Sequence, residues 1–220
     1  MKQTVKWLAT ALIHLGLMYV IGRGMRQDDT EEAYRRWYRQ AIRGDAQAQF
    51  NLGVMYYEGR GVRQDDAEAV KWYWYAAEQG HAEAVRWLRQ AAEQGDARAQ
   101  YNLGLMYAGG RGVREDDAEA VKWYRQAAEQ GHADAQFGLG VMYKYGHGVR
   151  QDYAEAVRWY RQAAEQGYAS AQFGLGVMYY KGRGVRKDLA LAQEWFGKAC
   201  QNGYQDGCDN YRRLKEGYPI

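Results

Sequence analysis

Apolar and polar positions follow a helical period along most of this chain, most clearly from 132 to 167. There Ala133, Ala135, Leu139, Tyr143 and their neighbours recur at three- and four-residue steps, the spacing of one helix face. These positions predict a first helix, A. Gly138 and Gly140 lie inside it, where a glycine costs about 1 kcal/mol relative to alanine. Their presence predicts close approach of a neighbouring helix. Gly146, His147 and Gly148 break the pattern. Asp152 then starts a second helix, B, as N-cap, and Glu155 three residues later completes a capping box. Helix B carries Ala156, Trp159, Tyr160, Ala163 and Ala164 on its packing side and Arg158, Arg161 and Glu165 on its water side. Gly167 ends it. The unit reads as helix, seven-residue loop, helix and short glycine turn.

The same wording recurs. Leu-Gly pairs stand at Leu15, Leu52, Leu103, Leu139 and Leu175, and the last two steps are 36 residues each. The capping box recurs as Asp65/Glu68 and Asp116/Glu119, and loosely as Asp28/Glu31. A fixed period of this size predicts stacked supersecondary units. One hairpin cannot bury its own apolar stripe, but stacked hairpins can, because small residues on one unit admit the Trp, Tyr and Leu of the next.

The pattern Ala-x-x-x-Leu-Gly-x-x-Tyr-x-x-Gly-x-Gly-Val-x-x-Asp-x-x-x-Ala-x-x-Trp-Tyr-x-x-Ala-Ala-x-x-Gly resembles the Sel1-like repeat, a relative of the tetratricopeptide repeat. The resemblance runs from about Leu15 to Tyr211 and recurs about five times. It implies an all-α fold, an α/α superhelical solenoid that serves as an adaptor for protein partners. It implies no single activity.

Two places depart from the period. Leu52 and Leu103 are 51 residues apart, which is 36 plus 15. Residues 81–95 begin like helix A and finish like helix B, so one odd helix is expected between Gly80 and Gly95. Leu88 fits the slot of Leu139, but Trp87 and Arg89 fall where the glycines belong. A kink or altered stacking angle is expected near 80–96. The first unit is also irregular, with two extra residues between Asp28 and Trp37 and one fewer before Gly44.

Residues 1–22 support two readings. Lys2 and Lys6 precede an uncharged run from Trp7 to Gly22, the shape of a secretory signal. Yet the run from Leu15 to Gly24 also copies Leu103 to Gly112. We read 1–22 as an export signal, with a retained apolar helix or anchor as the alternative. The solenoid then spans 23–203, and 204–220 forms a capping helix and tail. Membrane contact is expected only through the N-terminal segment.

Charge changes the picture little. The 30 basic and 27 acidic residues are well mixed, whereas a nucleic-acid footprint needs a stripe of one sign. No nucleic acid is expected. Basic side chains do line one edge of the loops: Arg23, Arg60, Arg111, His147 and Arg183, with Arg26, Arg63, Arg114, Arg150 and Arg186 three further on. Asp28, Asp65, Asp116, Asp152 and Asp188 interleave, so most of these charges are expected to be neutralised locally, with contact to an acidic surface or lipid headgroups as the alternative. The loops are only Gly-x-Gly turns after helices and lack the Gly-Lys-Ser/Thr of a phosphate cradle.

Cys200 and Cys208, the only cysteines, flank the turn at Gly203. A staple, two free thiols and a metal pair are the three readings of that spacing. Zinc needs about four ligands, and no histidine is nearby. The spacing resembles the cysteine-rich secreted subset of Sel1-like proteins, which implies a disulfide between Cys200 and Cys208 and an oxidising compartment. Some proteins of that subset are linked to penicillin binding or β-lactamase activity, so a cell-wall hydrolase is carried as an alternative. Against it, the only serine, Ser170, is followed by Ala-Gln-Phe, with no Ser-x-x-Lys or Gly-x-Ser-x-Gly. The histidines fall where sibling units carry Asn, Asp, Tyr or Arg, which suggests surface turns. No enzyme, cofactor or metal is expected.

A binding face remains. In relatives, partners lie along the concave side lined by A helices. Positions that differ between units are free to specify a ligand: Asn51, Asn102, Gly138 and Gly174; Tyr57, Ala108, Lys144 and Tyr180; Glu58, Gly109, Tyr145 and Lys181. Of these, Asn51, Tyr57, Asn102, Lys144, Tyr145, Tyr180 and Lys181 are the candidate contacts. The expected function is an exported, non-catalytic scaffold for an unidentified envelope or host protein, with an intracellular adaptor as a further alternative.

Overall fold

The computed structural model describes residues 27–220, all helix and turn. The readings of 1–22 as signal, helix A or anchor lie outside the described residues. Eleven helices are described: α1 (Gln27–Ala41), α2 (Ala46–Glu58), α3 (Asp66–Glu78), α4 (Ala82–Glu93), α5 (Ala97–Gly109), α6 (Asp117–Glu129), α7 (Ala133–Tyr145), α8 (Tyr153–Glu165), α9 (Ala169–Lys181), α10 (Leu189–Gln201) and α11 (Gln205–Lys215). Helices α2, α5, α7 and α9 are A helices, each followed by a B helix, and α4 stands between the B helix α3 and the A helix α5. The two extra residues of the first unit lengthen α1 to 15 residues, against 13 in the other B helices. Asp28 therefore lies inside α1.

Caps set the helix starts. Asp116 Oδ1 accepts from the amides of Ala118 and Glu119, and Asp152 Oδ1 from those of Ala154 and Glu155. The expected capping box is only half formed. The amides of Asp116 and Asp152 do not turn to the glutamate; they donate to the carbonyls of Tyr107 and Tyr143 on the preceding A helix. Glu119 and Glu155 pair instead with Lys122 and Arg158. The A-helix carbonyl is already in place when the loop closes, so it replaces a flexible side chain as acceptor.

The chain divides into two compact units, one ending at Trp72 and one beginning at Tyr73, inside α3. In the first, Gln49 is buried and donates to the carbonyl of Ala41 at 3.1 Å, while Tyr38 packs edge-on against Trp72. The hydroxyls of Tyr34 and Tyr56 lie 3.1 Å apart.

In the second unit the expected packing faces are met. Ala156, Trp159, Tyr160, Ala163 and Ala164 are buried, while Arg158, Arg161 and Glu165 are exposed. Burying each large side chain stabilises by roughly 1.5–3 kcal/mol. The paired glycines differ in kind. A Cβ on Gly140 would lie 2.6 Å from the Tyr160 ring, its own unit's B helix. A Cβ on Gly138 would lie 3.6 Å from the Tyr124 ring of the preceding unit, an ordinary contact. Gly138 thus faces a neighbouring repeat, as Gly174 does with Tyr160. Each of these contacts leaves room for a methyl group, and the equivalent positions in sibling units hold Asn51 and Asn102.

A buried amide ladder ties the repeats, and sequence reasoning missed it. Gln136 donates to the carbonyl of Ala128 at 3.1 Å and to Gln162 Oε1 at 3.2 Å. It accepts from Gln166 at 2.7 Å. Gln100 and Gln172 repeat the scheme with Ala92 and Gln130, and with Ala164 and Asn202. A second link joins each B helix to the next A helix: Arg125 donates to the Tyr143 hydroxyl at 2.5 Å and Arg161 to that of Tyr179 at 2.9 Å.

The odd helix α4 combines both types, as its sequence implies. It begins like an A helix, with His81 Nδ1 accepting from the Ala84 amide. It ends like a B helix: the Asp96 amide returns to Ala91, Gln100 reaches Ala92, and Arg89 donates to Tyr107 at 2.8 Å. Leu88 is fully buried, as expected. Trp87 and Arg89, which replace the glycines, avoid a clash by stacking on Tyr73 and by pointing to the surface. The following loop docks differently. Cβ atoms on Gly148 and Gly184 would collide with the carbonyls of Asp117 and Tyr153, at the starts of the preceding B helices. At Gly112 the colliding carbonyl is Ala77, near the end of α3. With its first half built as an A helix, α4 offers no B-type start at that place.

Candidate partner-binding surface

The A helices expose two adjacent positions at their C-terminal ends, just before the glycine that ends each helix in the left-handed region. Buried Leu, Gly and Met fix the opposite side of each helix. In the first compact unit these positions hold Tyr57, 44% exposed, and Glu58. Asn51, one and a half turns earlier, accepts from Gln47 at 3.1 Å. In the second unit Asn102 is half-buried on α5. On α7 the Lys144 ammonium sits 4.7 Å from the centroid of the Tyr145 ring, which is itself 56% exposed and 6.0 Å from His147. On α9 the Tyr180 hydroxyl accepts from the amide of Ile220 at 3.2 Å, so the C-terminal segment partly covers it, while Lys181 is exposed. These groups occupy equivalent places one repeat apart, and Lys144, Tyr145 and His147 form the tightest cluster.

Burial sets the ionisation of several phenols in the repeats. Burial pushes the Tyr124 and Tyr160 phenols well above their ordinary value, and burial with Asp134 pushes Tyr168 up to about 12. His132 is no surface turn: it is half-buried, stacks on Tyr101 and caps α7 through Nδ1. Burial lowers its pKa, and it also stands 3.8 Å from Asp134. His81 caps α4 in the same way. Ser170 lies in the first turn of α9. Among the described residues no group of three or more His, Cys, Asp or Glu side chains could hold a metal ion.

The loop edge also differs from expectation. The aspartates are taken up as N-caps, so the first arginine of each loop finds another partner. Arg60 pairs with Glu58 at 2.8 Å, Arg111 with Glu78 at 2.5 Å, and His147 with Asp117 at 3.6 Å. Arg183 instead lies over the ring of Tyr153.

At the C-terminal end Cys200 and Cys208 are disulfide-bonded, their Cα atoms 4.5 Å apart, joining α10 to α11. Gly207, buried against Ala199 and the Phe196 carbonyl, lets the helices approach closely enough for the bridge. No described helix is long and apolar enough to cross a membrane.

Antiparallel helix pairs of fixed length, joined by glycine loops and linked by repeating polar contacts, define an α-helical repeat protein. The Sel1 repeat model matches residues 9–45, 46–81, 82–96, 97–132, 133–168 and 169–204, and the chain belongs to the Sel1 repeat family. The short match, 82–96, falls on the single helix α4. Among solved structures the chain is similar to c5321, a protective antigen present in uropathogenic Escherichia coli strains. The two are 39% identical, over 91% of this chain and 47% of that one, with a TM-score of 0.61. The chain therefore spans about half the length of that relative. It is also similar to a Sel1 repeat protein from Oxalobacter formigenes, 41% identical over 58% of this chain and 96% of that one, with a TM-score of 0.54. No curated protein matches.

Proposed function

We propose that this chain is an exported, non-catalytic scaffold that docks a protein partner on the concave face of its A helices. The observation that carries the reading is the contrast within those helices. The positions shared by all units are buried, while the positions that vary present Tyr57 and Tyr145 at 44% and 56% exposure, flanked by Lys144. Aromatic anchors with nearby polar groups contribute most of the energy at protein interfaces. Asn51 accompanies Tyr57 in the first unit, and Asn102, Tyr180 and Lys181 hold the corresponding places on the A helices of the second.

Export is supported by the disulfide, because such bridges persist in oxidising compartments, and by the likeness to an antigen of uropathogenic E. coli. The partner then belongs to the envelope or to a host surface.

A photo-crosslinking residue placed at Tyr145, with Glu165 on the outer side of α8 as control, tests the docking face in the source cells. One adduct recurring at Tyr145 and absent at Glu165 is expected. Equal labelling at both sites overturns the reading. An intact mass taken under thiol-blocking conditions tests export: loss of about twenty N-terminal residues and two unblockable cysteines are expected.

A further inference from the structure

We propose that a groove bounded by the end of α9, the first turn of α10 and the C-terminal segment binds an acidic peptide segment bearing an apolar side chain. The proposal rests on the protein-docking reading and adds a second site with a stated partner chemistry.

Three departures of this repeat from its siblings bear on the groove, and Lys187, Leu189 and Tyr218 bring them to its lining. The first is charge. The repeat 169–204 holds five basic and two acidic residues, whereas 97–132 and 133–168 are balanced. Its loop carries Lys181, Arg183, Arg186 and Lys187 against Asp188 alone, and Asp188 caps α10 through the Leu191 amide. The second is the loss of carboxylate partners. Where Glu58 holds Arg60, this repeat has Lys181; where Asp117 holds His147, it has Tyr153 beneath Arg183. Lys187 likewise lies 5.7 Å over the Tyr180 ring, and no carboxylate of the described residues is within ion-pair distance of these four cations. The third is apolar exposure. Leu189 is 49% exposed where the sibling helices begin with half-buried Asp117 and Tyr153, and Tyr218 across the groove is 59% exposed. Tyr180, Lys187, Leu189, Leu214, Tyr218 and Pro219 line the groove.

The geometry favours a peptide over other anions. One cation, Lys187, borders the apolar wall, and no cluster of cations converges on a point there, as a phosphate cradle requires. A groove admits a side chain, whereas a planar bilayer surface would meet only its rim. A carboxylate of the partner would meet Lys187, with Arg186 next to it in the chain, while an aromatic or aliphatic side chain enters between Leu189 and Tyr218.

The test is fluorescence anisotropy of the full chain with a labelled dodecapeptide of glutamates around a central Trp-Leu pair. Binding at low salt is expected, weakening as salt shortens the screening length. The R186E/K187E variant should lose at least about tenfold in affinity, the charge-neutral R186Q/K187Q variant should lose less, and R114E in a sibling loop should lose nothing. Thermal melts of each variant confirm folding. Absence of peptide binding, equal binding by R186E/K187E, or binding only of anionic phosphatidylglycerol vesicles or inorganic polyphosphate each overturns the proposal. The Tyr145 crosslink reports on the A-helix face separately, so loss of this site leaves that reading standing and loss of that reading is seen without it.

Discussion

Gly138 and Gly140 stand two residues apart on one helix, and the structure predicts opposite outcomes for the same substitution. Gly140→Ala places a methyl 2.6 Å and 2.7 Å from two ring atoms of Tyr160 and 3.3 Å from the Ala156 carbonyl. Tyr160 is 2% exposed and is held by Ala156, Ala163 and Leu175, so its ring has no room to retreat. Overpacking of this kind costs about 1–3 kcal/mol. Gly138→Ala brings a methyl to 3.6 Å from Tyr124, a favourable contact. Both substitutions gain about 1 kcal/mol of helix propensity, and that shared gain cancels in the comparison. Gly138→Ala should therefore raise stability by about 1 kcal/mol. Gly140→Ala should fall below it by about 1–3 kcal/mol. In a chain of this size 1 kcal/mol moves the melting midpoint by about 2–4 °C, so the two variants should separate by at least about 2 °C in matched thermal scans. A Gly140→Ala protein as stable as the Gly138→Ala protein refutes the claim that the ring approach requires glycine.

The remaining expectations use other contacts. Gln136→Leu leaves Gln166 and the Ala128 carbonyl without their ladder partner, and should lower stability by about 1–3 kcal/mol in urea denaturation; an unchanged midpoint removes the ladder as a stabilising feature. His132 should make stability fall at acid pH. Burial holds its folded-state pKa below the ordinary value, with Arg98 acting in the same direction and Asp134 and Asp96 opposing. The neutral form is the one that accepts the Ala135 amide. Its contribution is thus complete above the unfolded value of about 6.5 and is lost as pH falls below it. His132→Asp, which restores the cap used by Asp45 and Asp96, should flatten melting midpoints measured between pH 7 and pH 5. Reduction of the Cys200–Cys208 bridge should cost about 2–3 kcal/mol in the chain-entropy model. Amide exchange should show the loss confined to α11 and the end of α10, and uniform deprotection would contradict a local staple.

Much of this fold is legible in local spacing. Helix A, the seven-residue loop and helix B follow from three- and four-residue periods, from Asp caps and from glycine stops, because each of those interactions closes within one turn of chain. The cysteine spacing across Gly203 leaves a staple, free thiols and a metal pair open, and the resemblance to cysteine-rich Sel1-like proteins implies the bridge. Even the hybrid nature of α4 is visible, as its two ends copy two different siblings.

Other features depend on residues half a repeat or more away, and no short window contains them. The links from Gln166 to Gln136 and from Arg161 to Tyr179 span 30 and 18 positions; only a repeat-by-repeat alignment hints at them. The sequence shows a carboxylate three residues after each cap, but the Tyr107 and Tyr143 carbonyls take the amides it was expected to bind. Two glycines that look alike in the chain are separated by which ring each meets. Period, caps and turns were determined by the sequence alone, because their partners are covalent near-neighbours. Which glycine is essential, which arginine is paired and which groove stays open were decided by the stacking of one repeat on the next, because there the partner is brought near only by folding.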